Sequence, residues 1–207
     1  MHWYHLLALA SLVVCIFSTL YHLIRLIRLG KPLDYAPAAG KAGPAIQYSF
    51  TAAMSPMKKE SAFLHLPTYI SGILYHLGTF LSIFLFFFIL AQVVLPGIFA
   101  YLFSGFFLIT GGCGIGILIK RFVKHELRSL SSPDDYISNL LVTLFQILTA
   151  LGLLFPAILP AYFILASMLL LYFPVGKLKH AIYFFAARYH LGLFYGWRGV
   201  WPPKNLS

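Results

Sequence analysis

The chain has 207 residues, of which 60% are hydrophobic and 10% charged, against roughly 45–50% and about 25% in soluble proteins. That length fits one domain or two small ones, yet its 20 Phe, 13 Tyr and 3 Trp exceed what one soluble core of this size can hide. A soluble enzyme, a disordered tail and a disulfide-stapled secreted domain are excluded. The net charge of +10 does not mark a nucleic-acid binder, because the cations cluster beside apolar runs and form no phosphate-binding array. The expected fold is an all-α integral membrane bundle of five transmembrane helices in a single membrane domain, residues 1–207.

Five stretches suit a hydrocarbon layer of about 30 Å at a rise of about 1.5 Å per residue. They are residues 3–24, 66–95, 98–119, 136–155 and 161–180. Their continuous apolarity favours helices over barrel strands, which alternate with period two. The first stretch, MHWYHLLALASLVVCIFSTLY, has no basic start and no clear cleavage site, and reads as a membrane anchor. Gly30-Lys31-Pro32 ends it. The Ala-, Gly- and Pro-rich connection 31–64 that follows is long for so small a protein, and reads as a cytoplasmic docking surface or a flexible linker. Pro67 suits the start of the second span. Gly111, Gly112, Gly114 and Gly116 in the third allow close helix approach. Ser131-Ser132-Pro133-Asp134-Asp135 gives the fourth a cap, an early proline and two first-turn carboxylates. The fifth is expected to continue as one helix beyond Lys179. Cys15 and Cys113 lie inside apolar runs and read as packing residues.

Charge predicts the orientation. Arg25, Arg28, Lys31, Lys41, Lys58 and Lys59 lie between spans one and two, and Lys120, Arg121, Lys124 and Arg128 between spans three and four. Lys177, Lys179, Arg188, Arg198 and Lys204 follow or close span five, and these complete the fifteen basic residues of the chain. The other connections carry none. The positive-inside rule then puts the N-terminus outside and the C-terminus in the cytoplasm, in a multi-pass protein of a prokaryotic cytoplasmic membrane. Trp197 and Trp201 in the tail read as belt residues or interface anchors.

No span holds Asp, Glu, Lys or Arg in its centre, which counts against a proton-coupled transporter or a channel. Histidine is left as the notable chemistry at depth. His76 lies in GILYHLGTFLSIF with no carboxylate nearby, and an imidazole in apolar surroundings is costly unless bonded or ligated. It is either a helix–helix hydrogen bond or a metal ligand. A second span of about 45 Å would overshoot the bilayer and leave His76 below the cytoplasmic surface, which His180 approaches from span five. Two such imidazoles can hold one haem iron from opposite faces. Metal-ligand spacing within one helix is absent, so zinc is a poor alternative. His2 and His5 are placed at the outer surface, within reach of a quinone or of water. His22 and His65 are placed toward the inner surface, His65 on the same helix as His76 and a spare ligand. His125 and His190 read as solvated or interfacial.

Several segments together resemble the gamma subunit of respiratory nitrate reductase and the related membrane cytochromes b of heterodisulfide-reductase-like complexes. They are YHLGTF around His76, TGGCGIGILIKRF closing span three, DDYISNLLVTLFQILTALGL in span four and FPVGKLKHAIYFF with His180. The resemblance implies a b-type haem subunit that carries electrons between quinone or menaquinone and a cytoplasmic iron–sulfur subunit, an electron-transfer component and not a free-standing enzyme. It implies His76 and His180 as the axial haem ligands. The nitrate reductase pattern has a second pair of histidines, where this chain has Phe86 and Tyr162, so one haem is expected. A haem-free membrane anchor for a soluble complex and a small transporter are the alternatives.

Overall fold

A computed structural model of the chain describes residues 1–30, 35–55 and 64–203. Every regular element among them is helical: α1 Trp3–Arg28, α2 Ala42–Phe50, α3 Leu66–Leu90, α4 Gly97–Val123, α5 His125–Ser129, α6 Pro133–Leu154, α7 Leu159–Tyr172 and α8 His180–Trp197. α1, α3, α4 and α6 are long and apolar enough to cross a membrane, and a fifth span is counted if α7 and α8 are one broken crossing. The protein is thus a multi-pass helical membrane protein. It divides into two compact units, Met1–Ser18 with Pro67–Leu178, and Thr19–Leu66 with Lys179–Ser207.

The larger unit contains the first part of α1 with α3 to α7. Lys120 near the end of α4 donates to Thr68 at the start of α3. Asp135 in the first turn of α6 accepts from Lys177, which follows α7, and lies 3.5 Å from Arg121 of α4. The start of α3, the end of α4, the start of α6 and the end of α7 therefore share one end of this unit, and that end carries the cations. The start of α6 forms as its sequence suggests. Pro133 opens the helix, and the Asp135 carboxylate accepts the Ser132 N–H at 2.9 Å, satisfying a donor that the helix leaves unpaired.

Close approach in this unit depends on glycines facing neighbours. A Cβ on Gly78 of α3 would come within 2.2 Å of Thr110 and 2.5 Å of Gln146, and one on Gly114 of α4 within 2.3 Å of Thr143 and 2.5 Å of Tyr75. Gly111 meets Ile147 in the same way, whereas Gly112 and Gly116 face open space. Of the four glycines expected to bring helices together, two do so. Polar side chains complete the seam between α3 and α6. Gln146, fully buried, donates to the Tyr75 carbonyl at 3.1 Å and the Thr79 hydroxyl at 2.9 Å, and Tyr75 donates to the Asn139 carbonyl at 3.0 Å. Between apolar helices in lipid, which lack a hydrophobic drive to associate, such bonds and close packing hold the bundle.

Three boundaries differ from the sequence reading. The second span ends at Leu90 and not at 95, giving 25 residues, or about 37 Å, so the overshoot expected of a longer helix shrinks. The cause is a left-handed cap. Gln92 has φ 59°, the Val93 N–H donates to the Phe88 carbonyl and the Gln92 N–H to that of Ile89, each at 3.0 Å, which is the double bond of a Schellman ending. The fifth span does not run on as one helix, for α7 stops at Tyr172 and α8 starts afresh at His180 after a 3-10 turn at Lys177–Lys179. Pro174 has no N–H to continue the ladder. Gly176 folds back so closely that its Cβ would lie 2.3 Å from the Tyr172 ring. α7 alone has 14 residues, or about 21 Å.

The third difference is in the smaller unit, where the described part of the connection after α1 contains a helix, α2. α2 packs on α8 through glycines, a Cβ on Gly192 falling 2.5 Å from the Ile46 Cα and one on Gly196 2.6 Å from the Ala45 Cβ. The Ala39 N–H donates to the Trp197 carbonyl at 2.8 Å, and the Trp197 indole to the Ala36 carbonyl at 2.7 Å. Trp201 packs on Tyr195 and Tyr48, with centroids 4.6 and 5.4 Å away. Residues 36–50 are thus tied to α8 through Trp197 and Trp201. Lys31, Lys58, Lys59 and Lys204 lie outside the described residues.

Candidate functional site

His76 stands ten residues into α3 on an exposed face. Its Nδ1 lies 2.8 Å from the carbonyl of Gly72, one turn back along the same helix. A carbonyl only accepts, so Nδ1 carries the proton and Nε2 is the nitrogen with the lone pair. Among the described residues no other helix supplies a hydrogen bond to His76. A Cβ on Gly72 would meet nothing within 4 Å. The result is a fixed tautomer on an exposed side chain, with Nε2 as its basic nitrogen; metal-ligating histidines are oriented by a carbonyl in the same way. This arrangement fits one axial ligand of a haem. The signal for it was in the sequence, where residues four apart stack on a helix face, but Gly72 was not singled out.

His180 is the first residue of α8 and is exposed. It belongs to the smaller unit and His76 to the larger. His65 lies in the turn before α3 and not on that helix, so its expected position on a nearby face of the His76 helix is corrected. His22 is half-buried on α1, its ring 5.8 Å from Tyr21. His125 opens α5, and the His190 ring lies 5.7 Å from Tyr189.

The N-terminal histidines also differ from expectation. His2 is exposed, but His5 is only 4% exposed and belongs to the packed interior. The His5 ring lies 4.6 Å from Phe163 and 4.5 Å from Tyr4. Its Nδ1 accepts the His2 backbone N–H at 3.3 Å, so the His5 proton sits on Nε2. His5, the third residue of α1, falls on the same face as Ala8, itself fully buried, and that periodicity outweighs closeness to the chain end.

Phe86 and Tyr162 come together in the core of the larger unit. Their ring centroids are 6.5 Å apart, and Phe145 stacks on Tyr162 at 5.5 Å while Phe163 meets it edge-on at 5.1 Å. Phe86 is 3% exposed, and Tyr162 is fully buried. Aromatic side chains fill this region. Beside it is an apolar cavity of about 200 Å³, lined by Cys15, Phe86, Phe145 and Leu169 among others. A second, open groove of about 480 Å³ runs between α3 and α4 past Thr68, Ser71, Cys113 and Lys120. Neither is lined by His2, His5, His22 or His65. Neither cysteine is in a disulfide, and among the described residues no three His, Cys, Asp or Glu side chains converge as a metal cage would need.

No family model, curated protein or solved structure matches this chain.

Proposed function

We propose that this chain is the b-haem membrane subunit of a respiratory oxidoreductase complex, passing electrons between the quinone or menaquinone pool and a cytoplasmic iron–sulfur subunit. The observation that carries the reading is His76, whose Nδ1–H is held by the Gly72 carbonyl while Nε2 is left as the basic nitrogen of an exposed side chain within an apolar span. The Nδ1–H is satisfied by Gly72; Nε2 remains the polar atom that is costly to leave in apolar surroundings, and a haem iron would take it. His180 is the second axial ligand in this proposal. The haem supplies reversible one-electron chemistry at its iron. The chain's residues set that chemistry: the Gly72 carbonyl fixes the His76 tautomer and increases its donor strength, and the apolar helices exclude water. The fifteen basic residues, clustered between spans one and two, between three and four and from Lys177 onward, support a cytoplasmic C-terminus, an external N-terminus and a cytoplasmic-membrane location. The 31–64 connection, the segment from Lys120 to Pro133 and the tail after Lys179 are then each proposed to contact the iron–sulfur subunit.

The test is a visible spectrum of the purified full-length protein, oxidised and then reduced with dithionite. The expected result is a sharp b-type α band on reduction, lost with haem in His76→Ala. A colourless protein would point to the haem-free anchor or the transporter and overturn the proposal.

A further inference from the structure

We propose that Arg188 is an oxyanion-binding residue whose guanidinium takes a propionate carboxylate of the bound haem, an inference that rests on the haem reading above. Arg188 lies on α8. Its Nε and Nη2 are both shut off from solvent and have no hydrogen-bond partner among the described residues. These two atoms make up one edge of the planar fork, with parallel N–H bonds at the spacing of two carboxylate or phosphate oxygens. Leaving such an edge buried and unpaired is among the costlier arrangements a fold can hold.

The residue is also firmly placed. Its carbonyl accepts from the hydroxyl of fully buried Ser49 on α2 at 2.7 Å, and four residues on, Gly192 brings α8 against the Ile46 backbone. The described part of this unit carries Arg25, Arg28, Lys41, Lys179, Arg188 and Arg198 and no Asp or Glu. The oxyanion must therefore come from beyond these residues. Arg188 follows His180 by eight residues on one helix, two turns or about 12 Å along the axis, on the adjoining flank. His180 would hold the haem iron in this reading, and Arg188 would be the cation on the same helix to take a carboxylate of that group. A lipid phosphate offers the same chemistry, as do the chain's own carboxylates, of which Asp34 and Glu60 fall within the sequence range of this unit.

The test uses the full-length haem-loaded protein in detergent, with redox titration of the haem from neutral to alkaline pH and resonance Raman of the propionate bending modes. A cation beside a propionate favours the reduced haem and keeps that carboxylate ionised. In Arg188→Gln the midpoint potential is expected to fall and become pH-dependent, as reduction now draws a proton onto the propionate, and the propionate modes should move. Arg188→Lys, which keeps the charge but not the fork, should hold the potential and still move the modes. If Arg188→Gln sheds its haem, the lysine variant decides, and unmoved modes there overturn the proposal. Haem bound with potential and modes unchanged in Arg188→Gln would overturn the propionate assignment. Asp34→Asn or Glu60→Gln reproducing the Arg188→Gln shift would assign it to the chain's own carboxylate. A wild-type protein without haem overturns the haem reading itself, a separate result.

Discussion

Gln92 closes α3 in the left-handed region, at φ 59°, a place that helices ending in this way usually give to glycine. The conformation costs a residue with a Cβ roughly 1–2 kcal/mol, and the Gln92 side chain is exposed. Gln92→Gly is therefore expected to stabilise the protein by about 1 kcal/mol, read as a higher unfolding temperature in detergent. A lower one would mean that the glutamine side chain makes a compensating bond. The helix end was illegible in sequence because the apolar run continues through Val93, Val94 and Leu95 to Pro96. His76 is the reverse case. Its depth and lack of a carboxylate were legible, but the identity of its hydrogen-bond partner depended on a side-chain rotamer that composition does not fix.

The glycines of α4 make the same point for an element. On paper Gly111, Gly112, Gly114 and Gly116 are equivalent small residues. In the folded unit only Gly111 and Gly114 meet a neighbour, and Gly114 is wedged between Thr143 and the Tyr75 ring. Gly114→Ala is expected to cost about 1–3 kcal/mol through overpacking. Gly112→Ala should be neutral or slightly stabilising, since alanine is the better helix former where space is open. Equal effects in a thermal or denaturant unfolding series would contradict this division of faces. The broken end of the fifth span was half visible. Phe173-Pro174 and Gly176 are breakers in the sequence, yet the apolar residues on either side invite a single helix. The break shows only once the Gly176 backbone is seen folded against Tyr172.

For the whole molecule, the aromatic cluster at Phe86, Phe145, Tyr162 and Phe163 bears on how many haems the proposed function allows. Phenylalanine cannot ligate iron, and the Tyr162 ring is stacked on Phe145. His5 packs against Phe163 with its Nδ1 already hydrogen-bonded. One haem per chain is expected by pyridine haemochrome assay, and a ratio of two would refute the count. The charge distribution gives a second expectation. A cysteine introduced at Lys41 should label with a membrane-impermeant thiol reagent only after the cytoplasmic side is opened. Labelling of intact cells would reverse the orientation and remove the proposed docking face.

Composition and charge by themselves determined that this is a helical membrane protein, and fixed four of its long helices to within a few residues, because crossing hydrocarbon demands length and apolarity, both local properties. They also set the start of α6, since a proline, a serine cap and two carboxylates act within one turn. The tertiary structure decided which glycines are contacts, that His5 is buried, that residues 36–50 pack on α8, and that Phe86 and Tyr162 share one core. It also decided that the Arg188 edge is left without a partner among the described residues. Those outcomes depend on which faces meet across long stretches of chain, and in uniformly apolar helices the sequence marks its faces only weakly.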